Sequence, residues 1–149
     1  MMFKNNINEH LTLNEYEVCS YEKLIRKYKK HHADDNKVKI LLLGCTKELK
    51  FLCDEYMDLN PSEGNEDCIR HDWFTIPKHK YDVIIGDCIL NKIGGSIVEN
   101  LSKKCKLLIL RFYTHPNTPY THYRENTSFL LPDKIIDTRD DCKILVWKF

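Results

Sequence analysis

The chain has 149 residues, enough for one domain around one hydrophobic core and too few for two of ordinary size. Its 23 Lys+Arg against 22 Asp+Glu leave a formal net charge of +1, so no global field recommends nucleic acid or an anionic membrane as a partner. Hydrophobic residues at 42% and charged residues at 30% describe a globular protein, and no apolar run approaches the about 20 residues of a membrane span.

The opening "MMFKNNINEHLTLNEYEV" lacks the apolar core of a secretion signal. Seven cysteines (19, 45, 53, 68, 88, 105 and 142) are odd in number and widely spaced, with no C-x-x-C pair. That pattern predicts reduced thiols buried as small hydrophobes in a cytoplasmic protein, with no zinc ribbon and no metal site.

Residues 1–18 are polar and weakly patterned and read as a loose arm or a short first helix. In "SYEKLIRKYKKHH" (20–32), Tyr21, Leu24, Ile25 and Tyr28 fall at helical spacing behind a Ser20 cap. "KVKILLLG" (37–44) is a near-continuous apolar run, the pattern of a central parallel strand covered on both faces. "CTKELKFLCDEYM" (45–57) reads as a helix capped by Thr46, with Leu49, Leu52, Cys53 and Tyr56 inward.

"CIRHDW" follows as a short strand, and "YDVIIGD" (81–87) as a second buried strand leading into an apolar turn. "GGSIVENLSKKC" (94–105) carries a capping-box pattern in Ser96 and Glu99. "KLLILRFY" (106–113) is a third buried strand. An irregular region with "YTHYREN" precedes a terminal hairpin that turns at Thr138–Asp141. Strands alternating with helices predict one α/β domain over 1–149: a Rossmann-like, mostly parallel sheet flanked by helices and ending in an antiparallel hairpin.

Ligands of such sheets bind beyond the carboxyl ends of the strands. The residues there are Gly44-Cys45-Thr46, His71-Asp72-Trp73, Gly86-Asp87-Cys88 and Arg111-Phe112-Tyr113. Asp87 serves equally as a turn-forming residue and as a site carboxylate. Gly44 suits any tight strand-to-helix turn, and His115 and His122 suit a solvated loop. The basic run at 26–32 reads as the wet face of a helix, with phosphate contact as the alternative.

In order along the chain, "ILLLGCTKELKFL", "HDWFTIP", "YDVIIGDCILN", "KLLILRFY" and the terminal hairpin resemble class I (Rossmann-like) S-adenosylmethionine-dependent methyltransferases, from about Lys37 to Phe149. The resemblance implies that Gly44, Cys45 and Thr46 lie against the methionine end of the cofactor. It implies that Asp72 and Trp73 hold the adenine, and that Asp87, followed by Cys88, sits near the methionine part of the cofactor or the transferred methyl. Asp58 stands where the family's ribose-binding acid would be, only 14 residues after Gly44. That spacing implies a shortened form of the fold, with the second strand/helix unit shortened or missing.

Two functions follow. One is methyl transfer from S-adenosylmethionine to an unidentified acceptor, with no residue assigned as general base. The other is a catalytically inactive frame that binds cofactor or nucleotide, or serves a partner as a scaffold. Besides the small-molecule cofactor, an uncovered sheet edge suggests a homodimer or protein partner. Nucleic acid rests on the 26–32 run alone, and no membrane partner is expected.

Overall fold

The structure is a computed structural model and describes residues 12–32, 37–61, 66–113, 130–139 and 141–149. The expectations for His115, His122 and "YTHYREN", and most of the N-terminal arm, lie outside these residues.

Helix α1 spans Glu15–Lys30 and starts earlier than its apolar spacing suggests. Its cap is Asn14, not Ser20: Asn14 accepts from the Glu17 N–H while Glu17 accepts from the Asn14 N–H, a reciprocal capping box. Ser20 instead turns its hydroxyl back to the carbonyl of Tyr16, one turn earlier. Residues 15–18 are therefore helix, continuous with the one expected from residue 20.

Strand β1 (Ile40–Leu43) is wholly buried. The helix expected over 45–57 is a 3-10 helix at Lys47–Leu52 followed by strand β2 (Glu55–Asp58). The second strand is thus present, parallel to β1, and only its helix is shortened. The geometry explains how 14 residues suffice. A 3-10 helix rises about 2.0 Å per residue, so six residues return about 12 Å, close to the length of a four-residue strand. Asp54 fixes the return: its carboxylate accepts from the Ile40 N–H, and its own N–H donates to the Ile40 carbonyl. The second strand/helix unit is thus shortened and not missing.

Strand β3 (Ile69–Arg70) and a 3-10 turn (Trp73–Thr75) precede β4 (Val83–Asp87). The apolar turn after β4 is a short helix, α2 (Ile89–Ile93). Helix α3 (Ser96–Leu101) is capped by Gly95 without a side-chain bond, so Ser96 is its first residue and not its cap. Strands β5 (Leu107–Tyr113), β6 (Lys134–Arg139) and β7 (Cys142–Lys148) complete the chain.

The sheet order is β3-β2-β1-β4-β5-β7-β6, with the first five strands parallel and β7 inserted antiparallel between β5 and β6. Alternating residues of β1 feed two cores. Leu41 and Leu43 pack with Trp73, Ile97 and Leu101 on the α2–α3 face, while Ile40 and Leu42 pack with Tyr21, Ile25 and Leu49 on the α1 face. Among the described residues no helix is long and apolar enough to cross a membrane.

Candidate functional site

The chain runs from β1 to β2 and β3 on one side, then crosses to β4 on the other, so strand order reverses between β1 and β4. The carboxyl edge at this switch point is where an open α/β sheet leaves a crevice. Gly44 and Asp87 flank it.

Gly44 has φ +88, the left-handed region that glycine enters without penalty. Its N–H donates to the Met57 carbonyl at 2.7 Å, which joins the end of β1 to the end of β2. A side chain at Gly44 would meet nothing nearer than Asp58 Oδ2 at 4.0 Å, so the glycine serves backbone shape and leaves open space above it. Asp58, half-buried, looks across that space while its Oδ1 accepts from the Asn60 N–H. Gly44 and Asp58 are therefore brought together. Cys45 and Thr46 follow at the entrance to the 3-10 helix, and Thr46 makes no capping bond. The Cys68 thiol lies beside Cys45; burial first, then this contact, pushes it up to about 12.

Asp72 is exposed and caps the Trp73–Thr75 turn by accepting from the Phe74 N–H at 2.9 Å. Trp73 points inward: its indole N–H donates to the Met57 carbonyl at 2.7 Å and its ring is in the core. Met57 thus accepts from both Gly44 and Trp73, tying β1, β2 and the segment after β3 together. Lys104, at the far side, donates to the Phe74 carbonyl.

At the end of β4, Gly86 is required by close approach, since a Cβ there would lie 2.6 Å from Cγ1 of Ile89. Cys88 holds φ 56 and ψ 26, uncommon for a residue with a side chain, and its N–H donates to the Arg111 carbonyl. Cys45 and Cys88 follow adjacent strands, yet their thiol contacts differ. Cys88 meets Asp87 and Arg111, whereas Cys45 meets Cys68.

Asp87 belongs to an ionic cluster. Arg111, wholly buried, donates through Nε to Asp87 Oδ1 at 2.5 Å and through Nη2 to Oδ2 at 3.1 Å. Its Nη1 reaches both carboxylate oxygens of Glu17, at 3.1 and 3.2 Å. Arg139 and the Thr138 hydroxyl also donate to Glu17. Burial raises the Glu17 carboxyl, but the bonds from Arg139 and Asn14 and the charge of Arg111 outweigh it and hold it below the ordinary value. Burial pushes Asp87 up, against the Arg111 guanidinium. Burial, then the Asp87 charge, pushes the Cys88 thiol up to about 12.

Glu17 and Tyr21 were missed because they sit on the segment read as arm and on a helix face read as plain core. The available signal was Arg111, a lone cation inside an otherwise apolar strand, which requires buried carboxylates.

No family model matches the sequence, and neither does any curated protein. Solved structures do match the fold. A protein described as a type 11 methyltransferase from Sulfolobus solfataricus aligns with TM-score 0.54 and 16% identity over 80% of this chain and 90% of its own. Magnesium protoporphyrin IX methyltransferase from Synechocystis PCC 6803, solved with bound SAM and with bound SAH, aligns at TM-scores of 0.46 and 0.47. Its identities are 15% and 14%, over 90% of this chain and 83% and 86% of its own. The fold is that of the class I S-adenosylmethionine-dependent methyltransferases, in a shortened, seven-stranded form.

Proposed function

We propose that the chain binds S-adenosylmethionine at the carboxyl edge of β1, β2 and β4 and transfers its methyl group to an acceptor still to be identified. The observation that carries this reading is the open space over Gly44 with the Asp58 carboxylate across it. A ribose presents two vicinal hydroxyls, and a carboxylate at the end of β2 accepts from both. The left-handed Gly44 turn lets the backbone approach the methionine end of the cofactor, alongside Cys45 and Thr46.

Asp72 keeps acceptor capacity beyond its bond to Phe74 and is assigned to the exocyclic amine of the adenine. Trp73 contributes its backbone and a fixed platform, since its indole is committed to Met57. Asp87 and Cys88 border the methionine side, with Asp87 oriented by Arg111. When bound, the cofactor supplies an activated methyl group. The chain supplies proximity and alignment for in-line displacement.

The test is calorimetry or thermal shift with S-adenosylmethionine and S-adenosylhomocysteine. Asp58→Ala and Asp72→Ala are expected to weaken binding at least tenfold while the protein stays folded. No binding at millimolar cofactor overturns the proposal.

A further inference from the structure

The opposite, amino edge of the sheet carries a feature that the cofactor reading does not use. Three depressions of about 310, 370 and 460 Å³ adjoin one another, the first two at this edge and the third along α3 as far as Phe74. The first lies between the last turns of α1 and the starts of β5 and β6, with Lys27, Lys106, Lys134 and Lys148 on its walls. It shares Lys106 and Phe149 with the second, which shares Lys103 and Lys104 with the third. Together they form a track, not a pocket.

The charge along this track is one-sided. The first depression is lined by four lysines and two histidines and by no Asp or Glu; Asp82 and Glu99 enter only farther along. Among the described residues, Lys27, Lys106, Lys134 and Lys148 form no ion pair with a carboxylate. In a chain of net charge +1, this is a strong local concentration. Complementing the helix dipole accounts for Lys27, Lys29 and Lys30 in the last turn of α1. It does not account for Lys106, Lys134 and Lys148, which come from strands and their ends.

Aromatic faces interleave with the cations. Phe149 is 40% exposed where the first two depressions join, held by its N–H to the Lys106 carbonyl, and Phe74 is 38% exposed in the third. Tyr28 stacks on His32 with ring centroids 3.8 Å apart at the other end. A groove of cations with exposed rings along it matches a phosphodiester backbone whose bases are free to stack. A duplex offers no such bases.

We propose that this amino-edge track binds single-stranded nucleic acid, with Lys106 and Lys148 on phosphates and Phe149 under a base. Lys106, Lys148 and Phe149 lie across the sheet from the cofactor edge, and the proposal does not depend on the methyltransferase reading.

The test is fluorescence anisotropy with a labelled oligothymidylate and oligouridylate of about 12 nucleotides at about 50 mM salt. Binding of either strand is expected, with affinity falling as salt rises. The double variant Lys106→Glu, Lys148→Glu is expected to lose at least tenfold and to flatten the log–log salt slope by about one unit per lysine. Phe149→Ala is expected to weaken binding severalfold at unchanged slope. Circular dichroism confirms that these exposed-residue variants fold. Binding of neither strand, equal binding by the double variant, or equal binding of a duplex of the same length overturns the proposal.

Discussion

The hydroxyl of Tyr21 bridges β4 and β5, accepting from the Arg111 N–H at 2.8 Å and donating to the Gly86 carbonyl at 2.6 Å. A helix side chain thus supplies two hydrogen bonds to the sheet where the ionic cluster begins. Removing the hydroxyl leaves a buried donor and a buried acceptor to find each other across the gap. Tyr21→Phe is expected to lower stability by about 1–3 kcal/mol. Urea denaturation followed by circular dichroism measures it as a lower midpoint at unchanged slope.

Arg111 pairs with both Glu17 and Asp87. Arg111→Met leaves Asp87 without its buried counter-charge and Glu17 with Arg139 as its remaining cation, and is expected to cost about 3–5 kcal/mol. Arg111→Lys is expected to recover only part of this, because one ammonium cannot reproduce the forked donation to Asp87. Full recovery by lysine would show that charge alone matters.

Acid should protonate Glu17 late, below the ordinary carboxylate range. Its folded-state carboxyl is held low, so its contribution to stability is fully present above the ordinary carboxylate value and is lost as pH falls through the lowered one. Glu17→Gln is expected to be less stable at neutral pH, with a shallower loss between about pH 5 and pH 2 than the parent. Thermal melts across that range decide it; parallel curves would mean that Glu17 is not the titrating group.

Thiol reactivity separates the cysteines. Burial holds the thiols of Cys53, Cys88 and Cys105 up at about 12, so each is protonated at neutral pH. Iodoacetamide at pH 8 is expected to leave these three unlabelled in the folded protein and to label them in urea. Peptide mass spectrometry reads the outcome.

Gly44→Ala tests the turn against the cofactor. The left-handed backbone alone predicts a loss of about 1–2 kcal/mol. Because the space above Gly44 is open, a methyl group there collides with nothing in the chain. A loss of cofactor affinity larger than the loss of stability would therefore locate the ligand over this turn.

The parallel core was legible because β1, β4 and β5 are near-continuous apolar runs, and only a strand covered on both faces tolerates that. The hairpin was legible from its turn. The 45–57 segment was misread because Leu49, Leu52, Cys53 and Tyr56 satisfy a helical period. Their spacing does not reveal that a tight 3-10 helix ends at Leu52 and frees Tyr56 for a strand. At the site, Gly44 and Asp58 stand together, though Asp58 was placed by resemblance and not by any visible strand. Trp73 shows the reverse: its position after β3 was foreseen, but nothing local announces that its indole turns inward to the Met57 carbonyl. Long-range pairs such as Glu17 with Arg111, 94 residues apart, leave no local pattern at all.

That separation has a consequence for how the chain acquires its structure. The cation of Arg111 is desolvated only when β5 joins the sheet; its counter-charges arrive from α1 and β4, and Glu17 on α1 also takes Arg139 of β6. Local contacts can build the parallel strands first, but the last of these charges is neutralised only when the two ends of the described chain meet. A fragment beginning at Lys37 would keep every parallel strand and still bury Arg111 without Glu17. The first helix is thus no appendage: it closes the fold, and melting is expected to be a single transition that includes it.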